Sequence, residues 1–197
     1  MDNPLTPLLE QLTKLPGIGA KSAQRLAFFL LSMSASDVAT FATVLKDTRD
    51  TIRYCDDCFN ISIAPKCHVC TDPNRTDSVV CVVAEPKDVF AFERLASFRP
   101  RYHVLGGLLS PIDGIHPELL RIQELIDRIK QGSVSELILG INPTIEGDAT
   151  TLYLQTVLAP FQLKITKLAY GLPVGADIDY TDELTLENSL NGRTILA

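Results

Sequence analysis

Four of the five cysteines stand as Cys55-x2-Cys58-x8-Cys67-x2-Cys70. Each Cys-x2-Cys pair can sit on a tight turn and offer two thiolates to one ion. The eight-residue spacer allows a short hairpin that brings the two turns together. Four sulfurs in a tetrahedron suit zinc and leave no position open for a reacting water, so the metal is expected to be structural, one per chain. The competing readings are disulfides and unligated core thiols. Disulfides sit poorly with a chain start, Met1-Asp2-Asn3-Pro4, that has neither the basic nor the apolar stretch of a secretion signal. The same start places the protein, by expectation, in the cytoplasm. His68, inside the second pair, is expected at the surface or behind the ligands, and Cys81, inside the apolar run Val79–Ala84, in the core. Residues 54–77 are too few to hold a core of their own, so metal binding must supply much of their folding free energy.

A second group of residues could meet phosphate. Leu15-Pro16-Gly17-Ile18-Gly19 joins two amphipathic stretches, and Lys21 and Arg25 follow it. The glycines let backbone approach an anion, and the first N–H groups of the next helix lie at the positive end of its dipole. Lys21 and Arg25 are four residues apart and share one face. Gly17, Ile18, Gly19, Lys21 and Arg25 are therefore the expected DNA contacts. The pattern, with Ala23 and Leu26 in place, resembles a helix-hairpin-helix. Such contacts position a duplex and read no base, so the binding would be sequence-independent. The bland alternative is a glycine-capped turn with two solvated cations.

Other chemistry is poorly supplied. No Gly-x4-Gly-Lys-Ser/Thr loop occurs, the histidines His68, His103 and His116 are scattered, and no serine is flanked as in a nucleophile elbow. His103 reads as structural, Tyr153 and Tyr170 have no context that marks them as nucleophiles, and no catalytic residue is assigned.

The elements that must position these groups are legible from apolar spacing. Leu5, Leu8, Leu9 and Leu12, then Ala23, Leu26, Ala27 and Leu30, then Val38, Phe41, Ala42 and Leu45 each predict a helix, the third capped by Ser36 with Asp37 in its first turn. Val79–Val83 predicts a strand buried on both faces, as in parallel sheets. A helix opens at Pro86, with Val89, Phe92 and Ala96 on one side. Further strands are predicted at 102–105, 136–141 and 164–169. Further helices are predicted at 117–130, with Leu119, Ile122, Ile126 and Ile129 inward, at 146–158, and near 182–190. This alternation calls for a small α/β domain with a mostly parallel sheet. The expected division is a helical part at 1–53, the cysteine segment at 54–77, the α/β domain at 78–170 and a C-terminal arm at 171–197, multidomain α+β as a whole.

That order resembles the RecR recombination proteins from end to end. The shared stretches are Leu15–Ala27, the four cysteines, Tyr102–Gly107, Ser110–Ile115, Asn142–Thr150 and Gly171–Gly175. The resemblance implies a helix-hairpin-helix domain, a Toprim α/β domain and a homo-oligomer, a tetramer built through both ends. It further implies a non-enzymatic ring or clamp on DNA that works with RecO and sometimes RecF to help load recombinase at single-strand gaps. Toprim enzymes hold Mg²⁺ with a Glu after the first strand and Asp-x-Asp after the third. At the first place the RecR family usually carries its Glu, and this chain has Ala84, with Glu85 one residue later. At the second it has Asn142-Pro143-Thr144, with acids only at Glu146 and Asp148. A weak Mg²⁺ site near those two stays open, as does the alternative of a Toprim nuclease or primase.

Bulk properties are consistent with a globular protein: 46% hydrophobic and 21% charged residues, and no apolar run near the roughly 20 that a membrane helix needs. The net charge is −6, but residues 1–54 balance at +1 and the remainder at −7. DNA is thus expected at the N-terminal part, with modest affinity per copy.

Overall fold

A computed structural model describes residues 3–195. The chain divides into two units, one ending at Ile52 and one starting at Arg53. The first holds three helices, α1 (Thr6–Thr13), α2 (Ala20–Ser32) and α3 (Ala35–Thr51). Pro7 near the start of α1 costs nothing there, since its missing N–H would have had no helical partner. The cap of α3 is Ser34 rather than Ser36: the Ser34 hydroxyl accepts from the Asp37 N–H at 3.1 Å. Both serines fit by type, and the residue with extended backbone, ψ 152°, takes the role. Among the described residues of this unit only Ala23 and Ala27 are buried.

The second unit opens with a two-stranded antiparallel hairpin, β1 (Arg53–Tyr54) with β2 (Ile61–Ser62), followed by a single helical turn, α4 (His68–Thr71). A four-stranded parallel sheet then takes the order β4-β3-β5-β6, with β3 (Val79–Val83), β4 (Arg101–Val104), β5 (Glu136–Leu139) and β6 (Lys164–Lys167). The apolar run of β3 lies between two strands, and its side chains feed both faces. Val80 and Val82 join Leu137, Leu139, Leu125, Ile129, Leu154 and Leu158 on one side. Cys81 and Val83 join Tyr102, Val104, Val89 and the cysteine segment on the other. The first face is covered by α6 (Ile122–Lys130) and α7 (Ile145–Leu158), the second by α5 (Pro86–Phe92) and the cysteines.

Two predicted helices and two predicted strands differ in detail. The 117–130 helix is a 3-10 turn at Pro117–Leu119 and then α6, which leaves Leu119 69% exposed and buries Leu125 instead. The helix from Pro86 ends at Phe92, so Ala96 lies beyond it. The strands predicted at 136–141 and 164–169 each end two residues earlier, at Leu139 and Lys167. The C-terminal arm carries α8 (Glu183–Asn191), capped by the Asp182 carboxylate accepting from Thr185 N–H at 2.9 Å. No helix among the described residues is long and apolar enough to cross a membrane.

Candidate functional site

The β1–β2 hairpin encloses the first cysteine pair rather than bridging the two pairs. Its turn holds Cys55 and Cys58, closed by Cys55 N–H to Asn60 O at 2.7 Å and Phe59 N–H to Cys55 O at 3.0 Å. Cys67 is the residue that precedes α4 and Cys70 lies within that turn. The four sulfurs all lie within 4.8 Å of one another, and three of the four residues are buried, with Cys70 partly exposed. Zinc–sulfur bonds of about 2.3 Å in a tetrahedron put the sulfurs about 3.8 Å apart, so the cluster has the right size. The Cys58 and Cys67 sulfurs are 3.5 Å apart and hydrogen-bonded. That bond pushes the Cys58 thiol up and the Cys67 thiol down, a division that a dication removes by favouring thiolate at every sulfur. Among the described residues this is the one close-set group of three or more metal-binding side chains. His68 is exposed, and Cys81 is fully buried, its thiol pushed up to about 12 by burial. Both places match the sequence expectation.

Long-range contacts fix this segment to the sheet. Val104 N–H donates to Cys58 O at 2.9 Å, across the edge strand. Arg101 reaches Asp77 at 3.0 Å and also donates to the Val69 carbonyl. Arg75, 6% exposed at its side chain, forks onto Glu93 at 2.8 and 2.7 Å and donates to Pro100 O at 3.0 Å. Tyr102 donates to the same Glu93 at 2.9 Å. Hydrogen bonding to Arg75 holds the Glu93 carboxyl below the ordinary range, and burial raises the Tyr102 hydroxyl. Phe59 adopts φ 62°, a conformation rare for a bulky residue, and its ring meets His103 edge-on at 5.5 Å and the Arg121 guanidinium at 5.0 Å. His103 is itself fully buried, with Nε2 2.7 Å from Arg121 O, and burial lowers its pKa to about 4. It is a neutral structural residue. None of these partners was named from sequence. Arg75 and Glu93 are 18 residues apart in different elements, so no local spacing announces them.

The N-terminal unit presents the phosphate-binding candidates together. Gly17 takes φ 79°, which a side chain would resist, and turns the chain into α2. Gly19 precedes α2 in extended backbone, and a Cβ there would meet no described residue beyond its chain neighbours within 4 Å. The fold itself therefore does not demand glycine at 19, and its lack of a side chain leaves the helix start bare. No acidic residue lies in the first turn of α2. Lys21 and Arg25 are exposed, and neither makes an ion pair among the described residues, while Ile18 is half-buried.

At the carboxyl ends of β3 and β5, where Toprim enzymes place metal-binding acids, Ala84 is buried. Glu85 is exposed and pairs with Lys87 at 2.8 Å, and its N–H donates to Asp88 at 2.9 Å. Thr144 caps α7 by accepting from Gly147 N–H at 3.1 Å, and Glu146 and Asp148 stand exposed in that first turn. A Cβ on Gly147 would lie 2.0 Å from Asn142 O, so the helix packs onto the preceding loop only with glycine there.

Family comparisons cover almost the whole chain. Residues 5–49 match the model described as RecR, helix-hairpin-helix, residues 78–169 that of the Toprim domain, and residues 171–194 that of RecR, C-terminal. Proteins named Recombination protein RecR are 49% identical in Thermobifida fusca and 50% in Streptomyces coelicolor, each over 189 residues, 96% of this chain and 95% of the relative. The namesake in Synechocystis is 48% identical over 190 residues, 96% of this chain and 82% of its own. The chain belongs to the RecR family. Within this RecR protein the Toprim sheet, the helix-hairpin-helix unit and the four-cysteine cluster are those anticipated from the sequence.

Proposed function

We propose that this RecR protein is a non-enzymatic recombination mediator in DNA repair. It holds one structural zinc on Cys55, Cys58, Cys67 and Cys70 and meets DNA through Gly17, Ile18, Gly19, Lys21 and Arg25. The observation that carries the DNA reading is the bare start of α2, with no acid in its first turn and two exposed cations on one face that make no ion pair among the described residues. Backbone donors and a helix dipole bind phosphate without reading bases, as a mediator at arbitrary gaps requires. The reading assigns four working parts, 1–53, 54–77, 78–170 and 171–197, and a cytoplasmic site of action with RecO and RecF.

Assembly follows from what a single copy leaves uncovered. The arm has no buried residue from Gly171 to Ile195 and exposes Val174, Tyr180 and Ile195 at 90% or more. The N-terminal unit exposes Phe28, Phe29, Phe41 and Leu45. Apolar surface at both ends fits a closed homo-oligomer, a tetramer that links weak DNA sites into a ring or clamp. Chemistry is not expected of the Toprim part: Ala84 supplies no ligand, Glu85 is paired with Lys87, and Glu146 and Asp148 serve the positive end of α7. Robust Mg²⁺-dependent cleavage or primer synthesis lost on Glu146→Ala would replace this reading with the enzymatic one. The deciding experiment measures mass by light scattering and duplex binding, for the full chain and for one lacking residues 171–197. A mass above monomer is expected, with assembly and DNA binding both lost on deletion; a monomer with and without DNA would refute the ring.

A further inference from the structure

The five cysteines differ sharply in access to solvent. Cys55, Cys58 and Cys81 are fully buried and Cys67 is 2% exposed, whereas Cys70 is partly exposed. Cys70 opens onto a groove of about 420 Å³ shared by Asp56, Asp57, Lys66, Asp127 and Arg128. Five carboxylates and three cations line that groove, a net negative entrance that disfavours anionic reagents and admits small neutral ones. A metal-held cysteine is a thiolate, the form that reacts with peroxides, and reactivity follows exposure.

We propose that Cys70 is a peroxide-sensitive modification site through which hydrogen peroxide opens the metal cluster. The inference rests on the zinc reading above. The Cys70 thiolate attacks one oxygen of hydrogen peroxide; an S–O bond forms, the O–O bond breaks, and hydroxide leaves. Cys70 is then a sulfenic acid. The Cys67 thiolate attacks the Cys70 sulfur, forms the S–S bond and expels a second hydroxide. Two electrons pass from the two sulfurs to the peroxide. Cys67 is the resolving partner because its sulfur is within 4.8 Å and it flanks the same single turn, α4. Cys58, by contrast, belongs to the hairpin pinned to β4 by the Val104 N–H. With Cys67 and Cys70 joined, two of the four donors are gone and a two-sulfur site releases its ion. The hairpin stays docked on the sheet, so the change is reversible by a dithiol.

The test needs no variant. Zinc content of the freshly purified full chain is measured first. The protein is then treated with hydrogen peroxide in one arm and oxidised glutathione, bulky and anionic, in the other. A dimedone trap, peptide mass spectrometry and a chromogenic zinc indicator read the outcome. The peroxide arm should label Cys70 first, yield a Cys67–Cys70 disulfide and release about one zinc per disulfide, all reversed by dithiothreitol with added zinc. The glutathione arm should give neither adduct nor release. First labelling at Cys55, Cys58 or Cys67, zinc loss without change at Cys70, or ready glutathionylation of Cys70 would overturn the proposal while leaving a zinc-loaded protein. Protein that lacks zinc as purified, yet is trapped at Cys70 alone, would instead overturn the zinc reading and keep the reactive site.

Discussion

The unit ending at Ile52 and the unit starting at Arg53 are built on opposite terms. The first has three well-formed helices and, among its described residues, two buried side chains, both alanine. The second packs leucines, valines and isoleucines on both faces of a parallel sheet and adds the cysteine cluster to one of them. Burial of a large aliphatic side chain stabilises by roughly 1.5–3 kcal/mol, and burial of alanine by far less. The second unit therefore has its own source of stability, while the first leaves Phe28, Phe29, Phe41 and Leu45 exposed, the surface that the proposed assembly would cover. The same contrast separates their chemistry: the four-cysteine cluster lies inside a core, and the proposed phosphate contacts, Lys21 and Arg25, are exposed on a helix.

The hardest test of this contrast is removal of the proposed zinc. Cys58→Ser, or chelation, should unfold the 54–77 segment and loosen the sheet face beneath it, at a cost of about 3 kcal/mol or more. Loss of zinc by elemental analysis should accompany a lower thermal midpoint, and near-native melting without zinc would show that the cluster is dispensable to the core. Arg75→Ala should come next. It strands Glu93 in a largely buried site, and breaking such a pair costs roughly 3–5 kcal/mol. Urea melts would read the loss. Because Arg75 holds the Glu93 carboxyl below its ordinary value of 4.5, that stabilisation is present above this value and is lost as pH falls from it through the lower value of the folded state. Arg75→Ala should flatten this acid limb.

A somewhat smaller effect belongs to His103. Its pKa falls from 6.5 to about 4 on burial, so the unfolded chain binds a proton more readily. Stability is complete above pH 6.5 and should decline by roughly 3 kcal/mol as pH falls toward 4. His103→Phe should remove that slope whatever it does to stability at neutral pH, and an unchanged slope would point to another group. The smallest effect on folding is expected for Lys21→Ala and Arg25→Ala, within about 0.5 kcal/mol because both are exposed. Each should nevertheless weaken duplex binding equally for all sequences and lower the salt slope by about 1. Wild-type affinity and slope in both variants would make the hairpin purely structural.

Much of the fold was legible because its signals are local. The repeat of Ala23, Leu26, Ala27 and Leu30 marks α2, the unbroken apolar run marks the central strand β3, and paired Cys-x2-Cys marks the cluster. The choice of Ser34 over Ser36 as cap, and of Leu125 over Leu119 as core, was not legible. Both alternatives satisfy the pattern, and only backbone geometry at that turn separates them. The turn chemistry of Gly17 and the candidate roles of Lys21 and Arg25 likewise needed nothing beyond their neighbours.

Spacing along the chain fixed which residues share a turn or a helix face, because those distances are set by the backbone alone. It therefore determined the cysteine set, the helix-hairpin-helix turn and the order of strands and helices. Tertiary structure decided what those elements lean on. Strand order puts β4 at the sheet edge, where Val104 meets the hairpin, and brings Arg75 to Glu93 and Phe59 to His103 and Arg121. Residues 18 to 62 positions apart can meet only once a sheet has chosen its neighbours, and that choice rests on summed burial across the whole unit rather than on any one stretch of sequence.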